Sequence, residues 1–167
     1  SRFLLTAEKT GLQVLLVLTK CDLLNDDALS QLRQRVQGWG YEPILVSTHS
    51  GLGLEQLRAQ LAKIPISVLC GPSGVGKSAL LNGLLPGLAL RVGALSGRLQ
   101  RGRHTTRHVE LHEFAHGSRV ADTPGFNRPE LPDDVSNLEV LFPELRAQLA
   151  QHPCRFRNCL HRDEPGC

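Results

Sequence analysis

The residues best suited to chemistry form one run, Gly71-Pro72-Ser73-Gly74-Val75-Gly76-Lys77-Ser78, which has the G-x-x-x-x-G-K-S pattern of a phosphate-binding loop, or P-loop. Its glycines allow backbone N–H groups to approach phosphate oxygens without a Cβ in the way. Lys77 is expected to neutralise the β- and γ-phosphates of a nucleotide, and the Ser78 hydroxyl to bind Mg²⁺. Ala79 follows in a predicted helix, whose N-terminus adds partial positive charge beneath the phosphates.

A second motif, D-x-x-G, occurs at Asp122-Thr123-Pro124-Gly125, directly after a predicted strand. Asp122 is expected to hold Mg²⁺ through water, and the N–H of Gly125 to contact the γ-phosphate. Taken alone this motif has little specificity, because turns commonly contain Asp and Gly.

A third motif, Thr19-Lys20-Cys21-Asp22, is similar to the N-K-x-D sequence that reads guanine. The Asp22 carboxylate can accept hydrogen bonds from N1–H and the N2 amine of guanine, whereas adenine cannot donate this pair. Lys20 is expected to lie along the base and the P-loop. Thr19 replaces the usual Asn, so one supporting hydrogen bond is predicted to be weakened or rerouted. Ser47-Thr48, after the next predicted strand, fits the loop that backs the base.

The C-terminal residues contain a metal-ligand pattern, C-x₄-C-x-H-x₅-C, made by Cys154, Cys159, His161 and Cys167. Three thiolates and one imidazole form a closed tetrahedral set for structural Zn²⁺. In an intracellular chain, clustered cysteines favour a metal over disulfides. The segment has too few apolar residues to fold alone, so metal binding is expected to supply its folding free energy. The alternative is a loose Cys-rich loop that binds no metal.

Apolar runs alternate with amphipathic segments, and this alternation predicts how the motifs are positioned. Strands are predicted at 12–18, 44–47, 66–70, 108–114 and 119–121, the last two joined by a tight turn at 116–118, and helices at about 27–39, 54–64, 78–82 and 137–150. Asp26 or Asp27 is the predicted cap of the first helix, which ends at Gly40, and Pro143 is predicted to kink the last one. The basic segment from 91 to 107 is predicted to be a mobile loop. The alternation predicts an α/β fold with a doubly wound sheet and a ligand at the C-terminal ends of its strands.

Composition limits the remaining classes. The 167 residues are 41% hydrophobic and contain no run long enough to cross a bilayer, so we expect a soluble, cytoplasmic protein. The net charge of +3 does not itself indicate a nucleic-acid partner. Arginines nevertheless cluster near 91–107 and 155–162, either as contacts to RNA or as solvated basic loops. The absence of Met predicts that the chain is trimmed or a fragment.

The order of the motifs is informative. GTPases usually carry the P-loop first and the guanine motif last, whereas here Thr19–Asp22 precedes Gly71–Ser78. A circular permutation produces such an order and is tolerated when the original termini lie close together. Together with Gly102-Arg103-His104-Thr105-Thr106 and the cysteine-rich tail, this order closely resembles the RsgA (YjeQ/YloQ) family of small ribosomal subunit biogenesis GTPases.

The resemblance implies a P-loop NTPase fold with a circularly permuted GTPase domain at 1–128 and a small zinc-binding module of helix and loop at 129–167. It implies that GTP is hydrolysed to GDP and phosphate during late maturation of the 30S subunit. The implied ligands are GTP or GDP, Mg²⁺ and one Zn²⁺, and the implied partners are the 30S subunit and its 16S rRNA, with a monomeric protein and no membrane contact. Thr105 and Thr106 would belong to switch I, with Thr106 as the candidate Mg²⁺ ligand. Relatives also carry an N-terminal OB-fold, and this chain is expected to lack both that domain and the first strand of the GTPase domain.

Phe126 stands near the position where many GTPases have a Gln that orients the attacking water. Phe cannot take that role, so intrinsic turnover is predicted to be slow and stimulated by the ribosome. Two other readings remain open at this point. One is an ATP-using P-loop enzyme, and the other is a zinc- and RNA-binding module with a vestigial nucleotide site.

Overall fold

The computed structural model describes residues 2–85, 87–88, 110–114, 117–122 and 138–167. Predictions that concern Thr105, Thr106, Gly125 and the basic segment from 91 to 107 therefore lie outside the described residues. Among the described helices, none is long and apolar enough to cross a membrane.

The first half of the chain carries the guanine-type motif between a short strand and a helix. Its elements are α1 (Arg2–Lys9), β1 (Val17–Leu18), a 3₁₀ turn (Cys21–Leu23), α2 (Asp26–Gln37), β2 (Ile44–Leu45) and α3 (Leu54–Leu61). β1 and β2 are parallel, with Val17 opposite Ile44. Both strands are shorter than predicted. The apolar run 12–18 begins before the segment that pairs with β2, so Leu12, at its start, is 70% exposed.

The second half carries the P-loop and the D-x-x-G aspartate. Its elements are β3 (Ile66–Leu69), α4 (Lys77–Leu84), β4 (Glu110–Glu113), β5 (Arg119–Asp122), a second 3₁₀ turn (Leu138–Leu141) and α5 (Pro143–Gln151). β5 lies between β3 and β4, parallel to the first and antiparallel to the second. The predicted hairpin between β4 and β5 is present, closed by a hydrogen bond from the Phe114 N–H to the Ser118 carbonyl at 2.8 Å.

Within the described residues the five strands form two sheets that share one hydrophobic core. The core residues come from β2 and the residue after it, from α3 and α4, and from β5: Ile44, Val46, Leu57, Leu61, Leu80, Leu81, Leu84 and Val120. Helices α3 and α4 therefore fix the two sheets relative to each other. This arrangement is the α/β architecture that the alternating sequence pattern predicted, with one antiparallel strand added.

Three local predictions were wrong. Asn25, rather than Asp26 or Asp27, caps α2, because its side-chain oxygen accepts a hydrogen bond from the Ala28 N–H at 2.9 Å. The helix ends at Gln37 rather than at Gly40, so Trp39 lies beyond it and is 39% exposed. Pro143 begins α5 rather than kinking it, since a residue without an N–H suits the first helical position.

The C-terminal helix α5 docks against α1 and the turn after α2. Arg146 donates a hydrogen bond to Glu8 Oε2 at 2.7 Å, and the Tyr41 hydroxyl donates to Glu8 Oε1 at 2.8 Å. Gly40 has a left-handed φ of 81°, and a Cβ added there would lie 2.8 Å from the Pro143 Cβ. The close approach of α5 at this point therefore requires glycine.

Candidate nucleotide site and metal centre

The P-loop connects the C-terminal end of β3 to the first turn of α4, as the sequence predicted. Gly74 and Gly76 have left-handed φ angles of 80° and 99°, which residues with a Cβ rarely adopt. Such a loop directs successive backbone N–H groups toward a common point and forms an anion-binding concavity. Pro72 and Ser73 are exposed, while Gly71 is buried where the loop leaves the sheet.

The Lys77 side chain folds over the P-loop. Its ammonium donates hydrogen bonds to the carbonyl oxygens of Gly71 at 2.7 Å and Pro72 at 3.0 Å. Burial lowers the pKa of Lys77, and the negative charge of Asp122 opposes that change. An ammonium has three protons, so Lys77 keeps the capacity to donate to a phosphate oxygen from this position.

Asp122 lies at the same edge of the sheet as the P-loop. It is the last residue of β5 and stands opposite Leu69, the last residue of β3, in a parallel pair. Its carboxylate is buried, with 8% of the residue exposed, and its charge acts on Lys77. Ser78 follows Lys77 in the first turn of α4 and is half-buried. The fold therefore brings Lys77, Ser78 and Asp122 to one end of β3 and β5.

The guanine-type motif contacts the P-loop directly. The Thr19 hydroxyl donates to the Val75 carbonyl at 2.7 Å, and the Lys20 ammonium donates to the Gly74 carbonyl at 2.8 Å. Lys20 has a left-handed φ of 60°, and its Cε lies 3.8 Å from the position of a Cβ built on Gly76. Thr19 therefore contacts the P-loop through its hydroxyl, and the weakening or rerouting of a hydrogen bond by Thr in place of Asn stays a prediction.

Asp22 is held in place by Ser47. The fully buried Ser47 hydroxyl donates to Asp22 Oδ1 and accepts hydrogen bonds from the backbone N–H groups of His49 and Ser50, both at 3.2 Å. This hydrogen bond lowers the pKa of Asp22, so the exposed carboxylate is ionised at neutral pH. Thr48, the other residue predicted at this loop, is exposed.

Cys21 has a structural part in the same motif. Its N–H donates to the Val46 carbonyl at 3.2 Å, which ties the motif to the segment that leads to Ser47. The residue is buried, and burial raises the pKa of its thiol. Cys70, the other cysteine outside the tail, is exposed at the end of β3.

The four predicted metal ligands converge at the C-terminus. The Cys154, Cys159 and Cys167 sulfur atoms lie 3.5, 3.8 and 3.5 Å from His161 Nδ1. All four ligand atoms lie within 4.8 Å of one another. Tetrahedral zinc with Zn–S of about 2.3 Å and Zn–N of about 2.0 Å places nitrogen and sulfur about 3.5 Å apart. The cluster therefore has the size and the donor set of a structural zinc site.

Glu164 shapes this loop, and the sequence analysis missed it. Its carboxylate accepts hydrogen bonds from the N–H groups of Leu160 at 2.9 Å and Arg162 at 2.8 Å, one on each side of His161. These backbone donors lower the pKa of Glu164 to about 2. A Glu inside a short Cys/His loop was the only signal for this role.

Two thiols of the cluster, those of Cys154 and Cys167, have raised pKa values. Burial, followed by hydrogen bonding to Cys159, raises the pKa of Cys154, and hydrogen bonding to Cys159 raises the pKa of Cys167 to about 11. A bound metal requires thiolates, so its binding must displace these protons.

Comparison with known proteins agrees with this geometry. The family model described as RsgA GTPase matches residues 1–132. The chain belongs to the RsgA GTPase family. It is 73% identical over all its 167 residues to the small ribosomal subunit biogenesis GTPase RsgA of Synechococcus sp. (strain CC9311), of which it covers 55%. It is 64% identical to the RsgA of Prochlorococcus marinus (strain MIT 9313), of which it covers 52%.

The crystal structure of YjeQ from Thermotoga maritima has the same fold. It superimposes with a TM-score of 0.75 at 36% sequence identity, covering 99% of this chain and 54% of YjeQ. The family and the P-loop α/β fold predicted from the motif order are therefore confirmed. The chain spans about half the length of the curated RsgA relatives that it matches.

Proposed function

We propose that this chain binds GTP with Mg²⁺ and hydrolyses it to GDP and phosphate during late maturation of the 30S ribosomal subunit. The observation that carries this proposal is the direct contact between the guanine-type motif and the P-loop, made by Thr19 with Val75 and by Lys20 with Gly74. The contact places a phosphate-binding loop beside the segment that carries Asp22. One nucleotide could therefore bind the loop through its phosphates and Asp22 through its base.

Guanine selectivity follows from the state of Asp22. The carboxylate is ionised and orientated by Ser47, so it offers two acceptor oxygens to the N1–H and N2 amine of guanine. Adenine presents an acceptor at N1 and no amine at C2, which would leave those oxygens without donors. The base would pack against the aliphatic part of the Lys20 side chain and against the Ser47–Thr48 loop.

Phosphate binding is assigned to the P-loop and its flanking residues. The backbone N–H groups of 71–79 would cradle the phosphates, and Lys77 would donate to their oxygens. Bound Mg²⁺ would neutralise negative charge on the phosphates. The protein residues that would hold it are Ser78, Asp122 and Thr106. By the family resemblance, Thr105 and Gly125 complete the group that contacts the γ-phosphate.

The tail is proposed to form a module, residues 129–167, that holds one Zn²⁺ through Cys154, Cys159, His161 and Cys167. We propose the 30S subunit and its 16S rRNA as partners of the chain, which acts as a cytoplasmic monomer. The exposed Phe156 ring supports an RNA contact, because the Arg155 guanidinium lies 5.4 Å from its centre. An exposed aromatic ring beside arginines offers both base stacking and phosphate contacts.

A competition assay tests the proposed nucleotide. A fluorescent GDP analogue is bound to the chain and displaced by increasing GTP or ATP in the presence of Mg²⁺. We expect displacement by GTP at concentrations at least about 100-fold lower than by ATP, since adenine leaves Asp22 unpaired. Equal displacement, or preferential displacement by ATP, contradicts guanine binding and favours an ATP-using enzyme.

A phosphate-release assay tests turnover separately. Release from GTP is measured with and without purified 30S subunits, using Lys77→Ala as the inactive variant and Lys63→Ala, an exposed lysine just after α3, as its matched control. We expect slow release that 30S subunits accelerate and that only Lys77→Ala abolishes. GTP binding without any release in either condition contradicts the hydrolytic part of the proposal.

A further inference from the structure

His161 has a backbone conformation that is unusual for a residue with a side chain. Its φ is 54°, in the left-handed region, and in the described part of the chain only one other residue besides glycine, Lys20, has a positive φ. Residues with a Cβ rarely adopt this conformation, so surrounding contacts must hold it. The strained residue is also the one whose ring reaches the three sulfur atoms of the cysteine cluster.

Two backbone N–H groups, one on each side of His161, hold that conformation. The N–H groups of Leu160 and Arg162 converge on the Glu164 carboxylate, one on each oxygen, at 2.9 and 2.8 Å. N–H groups that flank a left-handed residue in this way form a concavity, or nest, that binds an anion. The anion here is the carboxylate of Glu164. This side chain therefore fixes the backbone turn at His161 from both sides.

The spacing of the ligands requires such a turn. Cys159 and His161 are two residues apart, and in an extended chain the Cα atoms of such a pair lie about 6.6 Å apart. Here the Cys159 sulfur lies 3.8 Å from His161 Nδ1, and the Cys154 and Cys167 sulfurs each lie 3.5 Å from the same atom. All three sulfurs thus approach the ring nitrogen nearer to the backbone, as expected when a tight turn brings the ring close to its own chain.

We propose that Glu164 is a positioning residue of the metal centre, which holds the nest at Leu160–Arg162 so that His161 binds the metal through Nδ1. This inference rests on the proposed zinc site and adds a residue outside the four predicted ligands. A carboxylate has two acceptor oxygens, one for each N–H group. A Gln amide has one carbonyl oxygen and an NH₂ group that donates, so one backbone N–H would face a donor.

The negative charge of Glu164 offers a competing explanation, because a carboxylate near a cation can raise metal affinity without positioning anything. Asp163 provides the matched control, since it is the adjacent acidic residue and is exposed. Asp163→Asn removes the same charge one residue away and keeps the carboxylate that Leu160 and Arg162 bind. A difference between the two variants therefore reports the hydrogen bonds rather than the charge.

Zinc affinity gives the first measurement. The whole chain, with its cysteines reduced and at fixed pH, competes for zinc with a chromophoric chelator. We expect Glu164→Gln to lower the affinity about 10- to 100-fold, the loss typical when a group that orients a metal ligand is removed. Asp163→Asn should change it less than about fivefold, the range for an exposed charge. Amide protection in α4 checks that the rest of each variant is folded.

The ligating nitrogen gives a second measurement, which a general loss of stability would not move. Nitrogen-15 magnetic resonance of the histidine rings distinguishes metal-bound Nδ1 from metal-bound Nε2. At saturating zinc we expect the unsubstituted chain and Asp163→Asn to bind through Nδ1 of His161 alone. In Glu164→Gln the released backbone should let part of the population bind through Nε2 or leave His161 unbound. A Glu164→Gln variant that takes up no zinc while α4 stays protected is the expected loss in its strongest form.

The outcomes separate this inference from the proposed zinc site. Absence of zinc binding by the unsubstituted chain would overturn both. With zinc bound, three results overturn the inference alone: ligation through Nε2 in the unsubstituted chain, unchanged affinity in Glu164→Gln, or an equal loss in Asp163→Asn. Weaker binding by Glu164→Gln that still uses only Nδ1 would also overturn it, because Glu164 would then stabilise the loop without positioning the ring.

Discussion

The nucleotide site and the cysteine cluster are built in opposite ways. The nucleotide site joins segments that lie far apart in the sequence, with a hydrogen bond between residues 56 positions apart, and it rests on the buried core of α3, α4 and β5. The cluster is made by residues 154–167 alone, none of which is buried. The first site is therefore held by the folded domain, whereas the second, which has no buried residues of its own, is expected to depend on a bound metal.

Local hydrogen bonds assist the cluster but do not replace a core. Glu164 binds the N–H groups on both sides of His161, and the Arg155 N–H donates to the Gly166 carbonyl at 3.1 Å. These bonds set the loop shape that brings the four ligand atoms together. Backbone bonds of this kind, exposed to water, exchange readily unless another interaction fixes the chain.

Metal removal should separate the two regions most strongly. A chelator is expected to abolish the amide hydrogen-exchange protection of 154–167, because metal binding supplies the folding free energy of such segments. Protection in α4 and the affinity for GDP should stay within about twofold, since the nucleotide site rests on its own core. Zinc content measured on the same samples checks that removal was complete.

A cysteine pair provides the matched control for that result. Cys159→Ser is expected to lose zinc, whereas Cys70→Ser, at an exposed thiol outside the cluster, retains it. Loss of protection throughout α4 on chelation would contradict the separation of the two regions.

Ser47→Ala should reveal how strongly the nucleotide site depends on a buried hydroxyl. The change removes the donor to Asp22 and an acceptor for two backbone N–H groups, so GDP affinity is expected to fall roughly 10- to 150-fold. The control is Ser30→Ala, at an exposed position of α2. Unchanged GDP affinity in Ser47→Ala would mean that Asp22 is orientated by other contacts.

The same variant has a pH signature. Ser47 holds the pKa of Asp22 below its ordinary value, so the carboxylate stays ionised and guanine affinity persists until the pH falls below the usual carboxyl range. In Ser47→Ala the pKa of Asp22 should rise toward that ordinary value, and affinity should begin to fall at a higher pH. A carboxyl titration followed by nuclear magnetic resonance measures the direction of this change.

Thr19 should give the smallest effect. Thr19→Val keeps the shape and removes the hydroxyl that donates to the Val75 carbonyl, so GDP affinity is expected to fall about fivefold. Thr19→Asn restores a donor and should recover most of that loss. Equal losses in both variants would indicate a packing effect rather than a missing hydrogen bond.

Sequence reasoning succeeded where the chemistry depends on fixed local spacing. The P-loop could be predicted because a strand end, glycines and a Lys-Ser pair follow one another directly, and the convergence of the three Cys and one His side chains could be predicted because they occupy one short tail. The tight turn between β4 and β5 was predicted in the same way, and Gly117 in that segment has a left-handed φ of 81°. In each case the residues that interact are neighbours in the chain.

It failed where contacts join distant residues or where similar groups compete. The Glu8–Arg146 pair spans 138 positions, and nothing in either local sequence indicates the other partner. Asn25 precedes two acidic residues that are equally suited to capping, and only the backbone at Asn25 has the required extended conformation. The role of Ser47 depends on its complete burial, which follows from packing rather than from residue type.

The most direct measurement is the nucleotide preference of Asp22→Asn. An Asn amide accepts one hydrogen bond and donates another, which matches xanthine, whose C2 carbonyl replaces the guanine amine. The account predicts that this variant loses at least about tenfold in GDP affinity and binds xanthosine diphosphate more tightly than GDP, while Asp27→Asn, at an exposed position of α2, keeps the original preference. A folded Asp22→Asn variant that still prefers GDP would contradict guanine recognition by this carboxylate, and with it the single nucleotide site formed by the permuted segments.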